Sequence, residues 1–257
     1  MLVDMGADLA ASTNGNSTAL HRAAKRCDGK VVKILLGAGA DVAATDCNAN
    51  TPLYLAIQPG GEMVVKMLLV AGSNVSAKCF NGNTPLHLCV SRLDEKMVKM
   101  LLDARADVAA KNYNQKTPLH LGVSGGGSNM VKMLLDAGGD VGSTDGEGDS
   151  PLHLSIQQGR EIIVRMLLDA GAEVGSRGAN ANTPLMLAAS RGGSNVVRPI
   201  PKLTGLVHCP CLRTQPKRTS VFAQFSLSSG QDMPALTTVS MDINKKRISP
   251  QTLNPEP

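Results

Sequence analysis

Apolar residues along this chain fall into two alternating short blocks, and the alternation returns every 33 residues. One block starts at Thr117-Pro118-Leu119-His120 and ends near Ser124. The other is Met130-Val131-Lys132-Met133-Leu134-Leu135-Asp136-Ala137, closed by Gly138-Gly139-Asp140-Val141. Polar stretches with Gly or Asn join one unit to the next. The opening tetrapeptide recurs unchanged at Thr84-Pro85-Leu86-His87, and in variant form from Thr18, Thr51, Ser150 and Thr183. A fixed period of this kind is the signature of a repeat array.

The blocks predict two short antiparallel helices and a projecting polar hairpin per unit. Thr before Pro suits a helix start, because the hydroxyl accepts an orphan N–H and Pro needs none in the first turn. Gly39, Gly72, Gly138 and Gly171 stand where the second helix should end in a left-handed residue. Helices this short are not stable alone, so stacking must bury their faces. The expected buried columns are Val32, Val65, Val98, Val131, Val164 and Val197; Ile34 with Met67, Met100, Met133 and Met166; and the Leu-Leu pairs from 35, 68, 101, 134 and 167.

With Thr-Pro-Leu-His, the Val-Lys-Met-Leu-Leu run and Ala-Gly-Ala-Asp-Val at 38–42 on the page, the chain resembles the ankyrin repeat family over residues 1–198. The resemblance implies an all-α-dominated repeat solenoid, an ankyrin-like stack of helix–helix–β-hairpin units. It also implies binding of other macromolecules, usually proteins, through fingers and inner helices, with no catalysis. Residues 1–17 read as the end of a preceding repeat, 18–182 as five complete repeats, and 183–198 as a partial sixth broken at Pro199. Residues 199–257 carry no period and hold Pro210, Pro216, Pro234, Pro250 and Pro255, so a mostly disordered tail is expected there. Neither end shows a proper cap, so the chain reads as a shortened version of a longer array.

Some positions depart from the pattern. Arg105 replaces the helix-ending Gly, and Ala49, Gln115 and Ala181 replace the Gly common at the hairpin turn. Gly122, Gly125, Gly126 and Gly127 load one first helix with poor helix formers, which marks 117–149 as the softest unit.

Composition changes the picture in two places. Aromatics are 2% of the chain, with no Trp, which argues against stacking platforms for single-stranded nucleic acid. The net charge of +5 sits mostly in the tail: residues 1–198 carry 19 Lys/Arg against 18 Asp/Glu, and 199–257 carry 7 against 3. Cysteines at 27, 47, 79, 89, 209 and 211 follow no secreted spacing. The first residues lack a signal-peptide pattern, and no apolar run reaches 18 residues. The expected setting is the cytoplasm, with the nucleus as the alternative.

Candidate chemistry is sparse. His21, His87, His120 and His153 lie one period apart or more, and stacked helices are about 8–10 Å apart, too far to share an ion that needs bonds of about 2 Å. They read as ties between neighbouring units, which the resemblance also implies. His208-Cys209-Pro210-Cys211 lacks the second ligand pair of a structural zinc site. No phosphate-cradling loop, paired catalytic carboxylates or nucleophile elbow is present, so no enzyme activity, cofactor, metal or small-molecule substrate is expected.

The candidates for partner contact are the residues that vary at constant geometry. Phe80 and Tyr113 occupy equivalent fingertips. Lys25, Arg26, Arg92, Asp94, Glu95, Gln158 and Arg160 are expected on the concave helix face, which with the fingers would hold the partner. Lys33, Lys66, Lys99, Lys132, Arg165 and Arg198 form a basic stripe that reads as a solvated face, partly offset by Asp103, Asp136 and Asp169. Ser220 and Ser249 each follow an Arg two residues earlier and are candidate phosphosites. The expected function is a scaffold for a protein partner, without nucleic acid or membrane insertion. The alternative is a degenerate fragment, or a targeting module of a longer protein.

Overall fold

A computed structural model of the chain describes residues 6–190. The readings for Val197, Arg198, Pro199, His208 to Cys211, Ser220, Ser249 and the tail lie outside the described residues. Within them, five helix pairs follow one another: α1 Ala19–Lys25 with α2 Gly29–Gly37, α3 Pro52–Ala56 with α4 Glu62–Val70, α5 Pro85–Ser91 with α6 Glu95–Asp103, α7 Pro118–Gly125 with α8 Ser128–Asp136, and α9 Pro151–Gln157 with α10 Glu161–Asp169. A last first-type helix, α11, spans Pro184–Ser190. First helices pack on first helices and second on second, so the described residues form a two-row helical stack.

The first helices open as the sequence dictates. In α3, α5, α7 and α9 the residue before Pro is extended (Thr84 φ −85°, ψ 166°), and Pro fills the first helical position. In α1, α5, α7 and α9 the His three residues after the cap closes it through its ring. In the third repeat the Thr84 N–H donates to His87 Nδ1 at 3.2 Å, so the proton of the neutral ring sits on Nε2. That Nε2–H donates to the carbonyl of Lys116 at 2.9 Å, immediately before the next repeat begins. His21, His120 and His153 make the same bond to the carbonyls of Asn50, Asp149 and Asn182. All four rings are fully buried, which leaves no room for solvent to replace these bonds.

The second helices are nine residues each and bury a narrow face. Val32, Val65, Val98, Val131 and Val164 are completely covered, as is or nearly is the first Leu of each pair. The second Leu and the Met column are half-buried. Ile34 departs from the buried column: it is 58% exposed. Its counterpart Met67 reaches back over Gly29 of the preceding repeat, whereas no described helix precedes α1 for Ile34 to cover.

α3 is the shortest helix. Gln58 precedes Pro59, and the ring of Pro disfavours helical geometry at the residue before it. The helix therefore ends at Ala56, with Ile57 already at ψ 84°. The chain then doubles back so closely that a Cβ on Gly61 would lie 2.0 Å from the Ala56 carbonyl. As a result, α3 makes the sparsest contact with its successor of any first helix.

The glycines of α7 have a steric role that composition hides. A Cβ at Gly122 would meet Leu134 at 3.1 Å, and one at Gly127 would meet Leu93 at 2.9 Å. Gly126, at φ 73°, lies under the Arg160 guanidinium. The run makes space for side chains of the repeats on both sides.

The fingers are turns, not ladders: among the described residues the sole β-type pairing outside the turns is an isolated bridge between Ser12 and Thr18. Every finger carries a left-handed residue at the same place, glycine at 82 and 148 but Asn16 (φ 55°), Ala49 (φ 55°), Gln115 (φ 58°) and Ala181 (φ 57°) elsewhere, and the last finger has a second at Asn180 (φ 55°). Arg105 is likewise left-handed, at φ 62°. The backbone demands this geometry whether or not glycine is there to supply it.

Candidate protein-interaction surface

Successive fingertips are joined by backbone hydrogen bonds. Phe80 N–H donates to Asn48 O at 2.8 Å, Tyr113 N–H to Asn81 O at 3.3 Å, and Gly146 N–H to Asn114 O at 2.9 Å. Within a finger, a side chain locks the turn. The Asp46 carboxylate accepts from the N–H groups of Asn48 and Asn50, both at 2.9 Å, and Asn112 Oδ1 does the same for Asn114 and Lys116. Burial opposes ionisation of Asp46, but these donors and the Asn50 amide outweigh it and hold its carboxyl below the usual range. The fingertips are thus a rigid row.

Phe80 and Tyr113 stand on that row, side by side, at 71% and 69% exposure. The Tyr113 ring crosses Gly82 so closely that a Cβ there would come within 2.6 Å of Cδ1. At the corresponding place before Phe80 the chain has Ala49, whose Cβ occupies that space. The third aromatic of the described residues, Tyr54, is half-buried, and burial beside the Cys79 thiol raises its pKa. Two of three aromatics are therefore presented to solvent where no core requires them.

Two lysines flank the rings. Lys78 Nζ donates to Lys111 O at 2.8 Å, and Lys111 Nζ to Thr144 O at 3.0 Å, each reaching the next finger. Neither was singled out from sequence. The signal that marks them is Lys-x-aromatic-Asn in two consecutive units, Lys78 to Asn81 and Lys111 to Asn114.

The other candidates are distributed differently. Lys25, Arg26, Arg92, Glu95 and Gln158 are exposed. Asp94 caps α6, its Oδ1 accepting from Met97 N–H at 3.0 Å, as Asp28 caps α2 through Val31. Arg92 and Arg160 reach back to the preceding unit: Arg92 Nη1 donates to the Ile57 carbonyl, and Arg160 Nη2 to Ser124 O at 3.4 Å. Gln58 does so too, its amide donating to Lys25 O. These side chains fasten the open C-terminal carbonyls of first helices, a role that sequence spacing alone does not reveal.

The basic stripe faces solvent at Lys33, Lys66, Lys99, Lys132 and Arg165. Among the described residues Asp103, Asp136 and Asp169 do not pair with it. Among the described residues its ion pair runs the other way, from Arg165 to Glu161 at 2.6 Å, with both partners largely exposed. No group of three or more His, Cys, Asp or Glu residues converges on a metal position among the described residues, and both ring nitrogens of His21, His87, His120 and His153 already hold protein partners. The Cys89 thiol is pushed up by burial, which removes the thiolate a nucleophile requires. No described helix is long and apolar enough to cross a membrane.

Three copies of the family pattern described as ankyrin repeats match residues 1–79, 60–145 and 119–200, so the chain belongs to the ankyrin repeat family. Ankyrin repeats are in general modules of protein–protein interaction. Among solved structures the chain is similar to the ankyrin repeat domain of Bcl-3, described as a unique member of the IkappaB protein family. The two are 30% identical with a TM-score of 0.70, over 77% of this chain and 90% of that one. No curated protein matches the sequence.

Proposed function

We propose that this chain is a non-catalytic scaffold that holds a protein partner against its finger row and the exposed ends of its first helices. The observation that carries the reading is the pair Phe80 and Tyr113, about 70% exposed on adjacent, hydrogen-bonded fingers. Aromatic side chains with few rotatable bonds on a rigid support are the usual anchors of protein interfaces. Ordering them costs little, because the turn bonds have already fixed their backbone. A cytoplasmic site of action rests on the cysteine pattern.

The test compares proteins retained by the full chain with those retained by the Phe80→Ala/Tyr113→Ala variant and by a Val70→Ala control on the exposed side of α4. Proteins lost with the aromatic pair and kept by the control support the reading. If substitutions across the fingers and first-helix ends lose nothing, the scaffold reading is wrong.

A further inference from the structure

The electrostatics around Phe80 and Tyr113 narrow the kind of partner. We infer that the surface formed by Lys78, Phe80, Lys111 and Tyr113 takes an extended peptide segment carrying two acidic–apolar pairs about three residues apart. The inference rests on the scaffold reading and deepens it.

The first support is duplication. Lys-x-aromatic-Asn occurs at 78–81 and again at 111–114, in neighbouring fingers and at the same backbone positions. The equivalent stretches elsewhere are Thr45 to Asn48, Thr144 to Glu147 and Arg177 to Asn180, and none has an aromatic. Two identical pairs one repeat apart present the same chemistry twice, roughly 8–10 Å from one copy to the next if the fingers keep the spacing of stacked helices. An extended chain advances about 3.4 Å per residue, so about three residues span that interval.

The second support is uncompensated charge. Among the described residues neither Lys78 nor Lys111 has a carboxylate within 4.0 Å; their ammonium groups bond to neutral carbonyls. Lys116, by contrast, pairs with Asp145 at 3.8 Å. The same sign continues on the first helices. The ionised residues that the cap-to-cap segments of α1, α3 and α5 expose are Arg22, Lys25, Arg26 and Arg92, with no carboxylate among them. A segment that buries its apolar side chains on the rings therefore gains by placing carboxylates beside them, and a basic segment is repelled.

The third support separates peptide from nucleic acid. The next finger carries Asp145, Glu147 and Asp149, with Glu147 exposed at its tip. A phosphate backbone brings one charge per nucleotide and would meet repulsion as it ran on along the row. A peptide with a few placed carboxylates avoids it.

The test is selection of linear peptides from an unbiased random library on the full chain. Recovered peptides are then measured against Phe80→Ala/Tyr113→Ala, Lys78→Gln/Lys111→Gln and Lys78→Glu/Lys111→Glu. The expected pool is rich in Asp or Glu next to apolar residues at a three-residue interval. It loses affinity with the aromatic pair, weakens with added salt, and falls roughly tenfold or more with both lysines reversed. The neutral Gln pair should give an intermediate loss, and unchanged thermal melting of that variant separates lost contact from lost fold. Peptides that need the two rings but show no acidic excess overturn this inference and leave the scaffold reading standing. Peptides indifferent to the rings, or no peptides at all, overturn this inference too, while the scaffold reading falls only if the finger and first-helix variants lose no retained protein. Binding of a labelled single-stranded oligonucleotide that the reversed lysines abolish replaces the peptide by nucleic acid and also overturns it.

Discussion

His87 ties the start of its repeat to its end, the imidazole Nε2 lying 2.9 Å from the Lys116 carbonyl, 29 residues further on and immediately before the next repeat begins. Three other repeats have this bond up to the boundary that follows them, and the second repeat does not. There the position belongs to Tyr54, and the carbonyl it would reach is that of Asn83. The same boundary has the shortest first helix and the sparsest first-helix contact. What crosses it is the Arg92 bond to Ile57, the Tyr113 bond to Asn81, the Lys78 bond to Lys111 O at 2.8 Å and an Asn112–Asn83 side-chain bond at 2.8 Å.

In a linear array, stability is a sum of repeat terms and interface terms, and the poorest interface decides where cooperativity fails. The amides of α1 to α4 are therefore expected to exchange with solvent as a block distinct from those of α5 to α10. Tyr54→His should restore the missing bond, raise stability by about 1 kcal/mol, and bring the two blocks together. Native-state hydrogen exchange on both proteins checks it. A variant that is no more stable, with the blocks still separate, would show that the relay contributes little to coupling.

The same histidines set a pH dependence. Burial lowers the pKa of His87 and of His120 below the ordinary 6.5; the backbone carbonyls of Lys116 and Asp149 oppose it without cancelling it. The folded state thus prefers the neutral ring, while the unfolded chain takes up protons as pH falls through 6.5. Their contribution is complete above that value. It is lost on acidification down to the folded pKa, at no more than about 1.4 kcal/mol per pH unit for each ring. Urea midpoints at pH 7.5 and 5.5 measure the loss, and His87→Asn should remove part of the slope along with some stability. A midpoint that rises on acidification would contradict the assignment of a neutral, Nε2-protonated ring.

Ser73 is buried, and its hydroxyl has no hydrogen-bond partner. Ala occupies the corresponding place at 40, 106 and 172, so the stack already accepts a methyl there. The Ser73 N–H bond to Leu68 O does not involve the side chain. Ser73→Ala should stabilise the protein by about 1 kcal/mol, a rise of roughly 2–4 °C in Tm for an array of this size. Differential scanning calorimetry decides it; an unchanged or lower Tm means the hydroxyl is satisfied in solution.

The period, helix starts and buried Val and Leu columns were legible in the sequence because each repeat states them independently. Thr84 to His87 needs no neighbour to be read as a cap. What the sequence concealed depends on the adjoining unit. Arg92 and Arg160 look like free charges on an exposed face until the preceding helix end is set beside them. Gly122 and Gly127 look like weakness until Val90 and Leu93 of the preceding repeat are set against them. Ile34 fits its column but lacks a described helix to lie against. Phe80 and Tyr113 were visible as fingertip aromatics, but Lys78 and Lys111 required knowing that successive fingers touch.

Arg105 tests how far the backbone, rather than the side chain, governs these helix ends. It holds the place taken by Gly39, Gly72, Gly138 and Gly171, and all five are left-handed, with φ from 62° to 90°. Arg105 N–H still bonds to Leu102 O, and Ala106 N–H to Leu101 O, so the helix closes normally despite the side chain. A left-handed residue with a Cβ costs roughly 1–2 kcal/mol, part of which glycine returns through the greater entropy of its unfolded chain. Arg105→Gly should therefore stabilise by about 0.5–1 kcal/mol. The reciprocal Gly138→Ala should cost a similar amount, and because nothing lies within 4 Å of its notional Cβ, that cost is conformational and not steric. Urea unfolding of both variants provides the comparison. If Arg105→Gly destabilises the protein, the guanidinium makes a compensating contact worth more than the strain, and the helix end is held by the side chain after all.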